Sequence, residues 1–469
     1  MYDWKKIAIK KNSINRILIY FLFLHVFIWT VAPTVSNTNL PLDTIEALTW
    51  GNELQLGYDK YPPIFPLFTE LFFKIFGNQD WSFYLLSQLF VVSSFLIVFI
   101  FSQNFLGSKI LSLISILLLE TIYFFNYTTP ELNAFLCQFP FLAVTVLYCW
   151  KAINEKNNLN WAIFGVFAGL STLVYYLSLY LLAALGLYFI YKIFEEKKFN
   201  YKYIIALFFY FIVLSPHLYW IFSNNFESIK YALFRSFGDP LSGFGFIGLA
   251  DHLLYPLIFL AKQVAILTPF FLMLRLLVPN FKIKINIKDQ KLIFLFCVAI
   301  LPVILMFLTS LFFGIRIRTM WMTTFYLFPG VFFIYLFKEL VSLEKFTKFT
   351  NIFLLLFIIL PSAYIAQSFV QKDKRTDYPG REIAFKVQKE WNKYFINSID
   401  IVVGEGWVYG GWYAGNLSYH LKDRPKLRNE FKKYKNKGTI WLKPLNKIND
   451  CEGKLYQVKP YYDICMLKN

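Results

Sequence analysis

Eleven apolar runs dominate the sequence, most of them close to the roughly 20 residues that a helix needs to cross a bilayer. They lie at 17–35, 81–103, 109–125, 131–150, 161–174, 175–192, 203–222, 253–278, 290–313, 320–337 and 350–369. The stretch 161–192 is too long for one span and divides into two. In hydrocarbon every backbone N–H and C=O must find a partner inside the segment, so runs of this kind read as helices. With 57% hydrophobic and 16% charged residues, neither a disordered chain nor a simple soluble domain fits. The expected fold is an all-α polytopic membrane protein of about 11 transmembrane helices.

Lysine and arginine placement orients the spans. Lys5, Lys6, Lys10, Lys11 and Arg16 hold the N-terminus in the cytoplasm. Lys109, the 151–160 loop, Lys197, Lys198 and Lys202, then Lys282, Lys284 and Lys288, and the 338–349 loop fall on the same side. The first span lacks a small-residue cleavage site and reads as a signal anchor. An odd number of spans leaves the first long loop, 36–80, and the tail on the outer face. The chain thus divides into a membrane domain, 1–371, and an outer C-terminal domain, 372–469. The tail alternates patterns: "REIAFKVQKEWNKYF" has helical spacing, "SIDIVVGEG" and "GTIWLKPL" read as strands, and "GWYAGNLSYHL" suits a helix. A small α/β domain follows.

The net charge of +18 is no nucleic-acid signature here. The tail holds 20 basic and 11 acidic residues, and most of the remaining excess is the cytoplasmic-loop bias. Such a surface suits anionic head groups. Cys137, Cys149 and Cys297 fall within spans as apolar packing. Cys451 and Cys465 lie in the tail. In an oxidising compartment they can form a disulfide, and the alternative is two unpaired thiols.

The first outer loop is unusually polar. Asp43, Glu46, Trp50 and Glu53 share one face of a helix spanning 43–57, with Leu48, Leu54 and Leu56 free to touch the membrane surface and Gly57 ending it. Pro62 and Pro63 open a second amphipathic helix at about 63–76. Two interfacial helices with the turn "GYDKY" between them are expected. Asp43 and Glu46, one turn apart, either accept a proton or position a sugar or metal, or form the wet face of an interfacial helix.

The sequence has no Walker loop, dinucleotide turn or HExxH. An outer site also lacks nucleotide sugars, so its donor arrives activated, as a sugar on a lipid phosphate. Arg316 and Arg318 stand out, being two of nine arginines in a short outer loop that should be poor in positive charge. Arginine suits bidentate phosphate binding, and the alternative role is a membrane anchor. Glu131 opens the fourth span as a functional carboxylate or as one favoured by the helix dipole. Lys262, mid-span, either pairs within the bundle or lines a cavity. His217 and His252 lack a metal-ligand constellation and read as hydrogen-bonded structural side chains. The sequence admits a divalent cation and does not require one.

The pattern Asp43-x-x-Glu46, Trp50-Gly51-x-Glu53, Gly57-Tyr58-x-Lys60-x-Pro62-Pro63 resembles the first outer loop of family-39-like glycosyltransferases. These include the lipid A aminoarabinose transferases and relatives among the protein mannosyltransferases. "WAIFGVFAGLSTL", "SPHLYWIFSNNFESIKYALFR", Arg318-x-x-Trp321 and "GGWYAGNLSYHLKDRPKL" fit the same family, so the likeness runs through nearly the whole chain. The resemblance implies a GT-C fold and transfer of a sugar from a polyprenyl-phosphate carrier to an acceptor on the outer face of the bacterial inner membrane. The acceptor implied is lipid A, lipopolysaccharide or another envelope glycan, and a protein hydroxyl is the alternative. It implies Asp43 as the acidic residue of the site and Lys60 on the lipid phosphate. Glu46 is expected beside Asp43 as a second catalytic carboxylate, Arg316 and Arg318 to share the phosphate, and Tyr58, Trp50 and Glu131 to contact substrate. Two positions depart from the family: Tyr61 stands where His is common, and Tyr175-Tyr176 where a Lys-Tyr pair is common.

A flippase or transporter would favour charged residues at the midplane and symmetric halves, whereas the polar residues here gather at the outer face. The lysine pattern predicts that a reporter fused after residue 372 gives a periplasmic signal. A cytoplasmic signal would put the first loop and the tail on opposite sides of the membrane.

Overall fold

The computed structural model describes residues 11–155, 157–237, 248–279, 281, 285–428, 438–446 and 451–467. Lys5, Lys6, Lys10, Lys282 and Lys284, on which part of the orientation rests, lie outside the described residues.

Each apolar run becomes a helix or a bent helix pair. α1 (Lys11–Ser36) is followed by α2 (Leu42–Gly51) and α3 (Ile64–Phe76) of the first loop. The bundle continues with α4 (Asp80–Leu106), α5 (Lys109–Glu120), α6 (Ala134–Asn154), α7 (Asn158–Val174), α8 (Ser178–Glu196) and α9 (Lys202–Ser223). After the short α10 (Glu227–Phe237) come α11 (Asp251–Leu277), α12 (Gln290–Ala299), α13 (Leu301–Phe313), α14 (Pro329–Leu336) and α15 (Phe346–Val370). Among the described residues seven helices are long and apolar enough to span a membrane, and nine if each bent pair counts as one span. α12 and α13 meet at 46°, and a 3-10 segment (Thr319–Tyr326) meets α14 at 55°. Pro302 and Pro329 stand at these breaks, where a helix restarts most easily. The remaining two runs are shorter than a full span. α7 has 17 residues, and α5 has 12, or about 18 Å of helix.

The bundle packs through small residues, as membrane helices do when hydrophobic burial cannot drive association. A Cβ on Gly165 of α7 would sit 2.2 Å from the Ala206 carbonyl oxygen of α9. Only glycine lets those two backbones touch.

Beyond α15 the tail forms α16 (Gly380–Tyr394), β1 (Ile401–Gly404), a π-helical turn (Trp407–Ala414), α17 (Gly415–His420), β2 (Lys426–Arg428), β3 (Thr439–Lys443), β4 (Lys454–Val458) and β5 (Tyr462–Leu467). The sheet order is β2-β1-β3-β5-β4. β1 runs parallel to β2 and β3, while β5 is antiparallel to β3 and β4. The expected helix and two strands are α16, β1 and β3, and "GWYAGNLSYHL" forms the end of the π-helical turn together with α17.

This α/β unit shares a core with the first loop. Ile45, Leu48 and Phe65 lie in one apolar cluster with Val387, Trp391 and Leu417. Leu48 is only 1% exposed, so it does not touch the membrane surface as its sequence position suggested. It packs under the tail instead. Polar ties reinforce the dock. The Arg424 guanidinium lies 3.5 Å from the Phe73 ring centroid, pairs with Glu70 at 2.7 Å and donates to the Leu48 carbonyl at 2.9 Å.

Cys451 and Cys465 are joined in a disulfide, with Cα atoms 5.6 Å apart. It staples β5 to the segment entering β4. Closing a loop of this length contributes about 3 kcal/mol. Neither cysteine should react with an alkylating reagent until a reductant is added, and Cys451→Ser should lower the melting temperature. Ready alkylation of both thiols without reductant would refute the bridge.

Candidate active site

Where the first loop, the tail and the bundle meet there is a cavity of about 550 Å³. Its walls come from residues 42–43, 60–61, 131–135, 175–180, 231–236, 306–321 and 375. Apart from the ends of the spans, these are the connections that the lysine pattern assigns to one side.

Asp43 is in the first turn of α2, and its carboxylate meets the lysine of the following turn. Lys60 Nζ lies 2.9 Å from Asp43 Oδ1 and 2.6 Å from Glu46 Oε2. Burial works against the Lys60 charge, but the two carboxylates outweigh it and hold its pKa above the usual lysine range. Glu46 is raised, chiefly by burial and partly by Asp43, against the pull of Lys60. An ammonium has three donors, and two are used here. The Lys60 ammonium also sits 4.9 Å from the Tyr61 ring centroid. Tyr61 in turn packs against Tyr175 at 5.6 Å, so the two positions that depart from the family pattern support each other.

The structure sorts the sequence candidates. Asp43, Lys60, Glu131 and Arg318 line the cavity. Glu46 is buried behind Lys60 and does not line it. Arg316 is exposed and lies outside the lining, while its neighbours Ile315 and Ile317 are buried in the wall. Trp50 and Tyr58 also lie outside it. They stack on each other at 6.0 Å, and Trp50 braces Tyr61 at 5.6 Å. Tyr58 spends its hydroxyl on its own loop, donating to the Glu53 carbonyl and accepting from Gln55 N–H. Glu53 leaves the Asp43 face because α2 stops at Gly51, and it forms a fork with Arg428. The Arg428 hydrogen bonds lower its pKa against the effect of burial. Glu131 precedes α6 and does not open it, since Asn133 is the cap. Lys262 is half-buried and makes no ion pair among the described residues.

Arg235 of α10, with Tyr231 on the same helix, also lines the cavity, and sequence reasoning passed over both. Burial and the like charge of Arg235 push the Arg318 guanidinium down from its usual range. Neither arginine pairs with a carboxylate among the described residues. Arg375, entering from the tail junction, lines the cavity beside Glu131. Among the described residues no group of three or more His, Cys, Asp or Glu side chains is arranged to hold a metal ion.

The fold is the GT-C fold. ArnT from Cupriavidus metallidurans bound to undecaprenyl phosphate superposes with a TM-score of 0.67 at 10% identity, covering 96% of this chain and 97% of that one. Its apo form gives 0.58, also at 10% identity, with 97% and 98% covered. Residues 60–220 match the family described as dolichyl-phosphate-mannose-protein mannosyltransferase. No curated protein sequence matches the chain. The chain thus has the GT-C membrane fold, and one segment of it, 60–220, is similar to that mannosyltransferase family.

Glu131 opens into the cavity yet is ringed by protein. Burial and the nearby Asp43 push its carboxyl from 4.5 up to about 7, against Arg375 and Lys60. The folded chain therefore keeps a proton that the unfolded chain has lost between those two values. Its contribution to stability is complete below pH 4.5 and declines as pH rises through 7. Thermal unfolding in detergent across that window should show a shallower pH slope for Glu131→Gln than for wild type. An identical slope would show that Glu131 has an ordinary pKa.

Proposed function

We propose that the chain transfers a sugar from a polyprenyl-phosphate carrier to lipid A, lipopolysaccharide or another envelope glycan, on the periplasmic face of a bacterial inner membrane. The observation that carries this reading is the pair Arg235 and Arg318, both lining the cavity that Lys60 also lines and both without a carboxylate partner among the described residues. Like charges brought together at a protein surface call for an anion, and a phosphate with its lipid tail left in the bilayer supplies one. ArnT, which has the same fold, is bound to undecaprenyl phosphate, and that likeness supports such a carrier here. The Cys451–Cys465 bridge suits a periplasmic tail.

In this reading the acceptor oxygen attacks the anomeric carbon as the carbon–phosphate oxygen bond breaks. The phosphate leaves as a stable anion, so it needs no general acid. Lys60, Arg235 and Arg318 stabilise the charge that grows on it. Asp43 Oδ1 binds Lys60, while its Oδ2 accepts no hydrogen bond among the described residues. That free oxygen takes the acceptor proton if the acceptor is a hydroxyl. If the acceptor is an ionised phosphate, Asp43 orients groups instead. Glu46 keeps Lys60 in place from behind. The mannosyltransferase match over 60–220 favours a second reading, with a protein hydroxyl as acceptor.

Mass spectrometry of lipid A, core and glycoproteins from a deletion strain separates the two acceptors, because the missing mass appears on only one of them. Asp43→Asn should abolish transfer at normal membrane level, with Glu46→Gln milder. Losing a charge-assisted contact costs about 1.5–3 kcal/mol. Lys60→Ala and Arg235→Ala should therefore weaken carrier binding about tenfold to a hundredfold, while Arg316→Ala stays within about twofold. Full activity of purified Asp43→Asn would remove it from catalysis. If proteoliposomes moved a labelled lipid-linked sugar without consuming it, the protein would be a transporter.

A further inference from the structure

His217 lies on α9, is 2% exposed, and has no place in the chemistry above. Its two ring nitrogens join three separate segments of the site. Nδ1 lies 2.7 Å from the Leu56 carbonyl oxygen in the first loop. Nε2 lies 2.8 Å from the Tyr176 hydroxyl, in the turn between α7 and α8. The same hydroxyl lies 2.9 Å from Ser228 Oγ on α10.

The chemistry of these partners fixes every proton. A carbonyl oxygen only accepts, so Nδ1 carries the hydrogen. A neutral imidazole then offers Nε2 as an acceptor, and Tyr176 donates to it. With its own hydrogen spent, the Tyr176 oxygen accepts from Ser228. The chain runs one way: Ser228 to Tyr176 to His217 to Leu56. Ser228 is fully buried, so its hydroxyl has no water to turn to if the relay breaks.

Packing makes the same connection independently. A Cβ placed on Gly57 would lie 2.5 Å from the Trp220 ring and 2.8 Å from His217 Cε1. The ring planes of His217 and Trp220 lie at 11° with centroids 5.9 Å apart. The first loop therefore rests directly on two rigid rings of α9, and no other residue fits at that point.

All three segments serve the anion site. The first loop reaches Lys60 three residues beyond Gly57. The α7–α8 turn presents Tyr175. Ser228 lies one turn before Tyr231 and two turns before Arg235 on α10, along one stripe of that helix. Ser228 is the buried residue of α10, while Ile229, Leu233, Phe234 and Phe237 face away from the bundle.

We infer that His217, through Tyr176 and Ser228, is a positioning residue that registers α10 against the first loop and so sets Arg235 opposite Lys60. Its effect on carrier binding rests on the function proposed above, while its effect on α10 does not. Two measurements separate them. The first is hydrogen exchange of the 227–237 backbone amides in detergent, for Ser228→Ala and Tyr176→Phe. Both variants should exchange faster there while α4 and α6 keep wild-type rates. The second is a double-mutant cycle with Arg235→Ala, read as undecaprenyl phosphate binding. Ser228→Ala alone should bind about fivefold more weakly, the scale of one lost neutral hydrogen bond. In the Arg235→Ala background it should have no further effect. Wild-type exchange in both variants would overturn the relay. Faster exchange with fully additive binding losses would also overturn it, because the serine would then not act through Arg235. If instead Arg235→Ala itself binds like wild type, the phosphate site falls, and the exchange result alone decides the relay.

Discussion

The ion cluster of Lys60 with Asp43 and Glu46 is the contact on which the rest of the site depends. Asp43 and Glu46 lie one turn apart on a buried helix, and their like charges would not tolerate that position alone. A single lysine from the next turn bonds to both and offsets one of the two charges. Removing Lys60 would leave two neighbouring carboxylates uncompensated, which costs far more than the set contributes when intact. The cluster therefore ties α2 to the turn that follows it. Thr44, between the two carboxylates, donates to the Leu132 carbonyl at 3.0 Å. That ties α2 to the segment bearing Glu131.

Charge is unevenly spread through the cavity. The carboxylates gather on the side of α2 and the segment before α6, while Arg235 and Arg318 enter from α10 and the 314–318 connection. Tyr61, Tyr175 and Tyr231 line the same cavity and add no charge to it.

Much of this was legible in the sequence. Long apolar runs must be helices in a membrane, so the bundle followed from composition and length alone. The i, i+3 spacing set Asp43 and Glu46 on one face, and the resemblance supplied Lys60. What failed depended on tertiary contacts. The helical face was extended to Glu53, but the chain leaves the helix at Gly51 and Arg428, far away in sequence, captures that carboxylate. Leu48 read as a membrane contact because the tail that covers it is more than 330 residues distant. β2, β4 and β5 are short and carry little alternation, so only pairing with their neighbours defines them. Arg235 did leave a signal. It is one of nine arginines, on a segment where positive charge is disfavoured, which is the argument that singled out Arg318.

The docking of the tail on the first loop has a consequence for how the protein is made. Residues 42–60 enter the membrane surface early in synthesis, but their cover arrives only when α17 and Arg424 have emerged. Until then α2 has an apolar face with nothing against it and Glu70 has no arginine. The bundle can insert span by span, yet the cavity closes last. A chain stalled midway through translation would be a membrane protein in every other respect and still have an unfinished cavity.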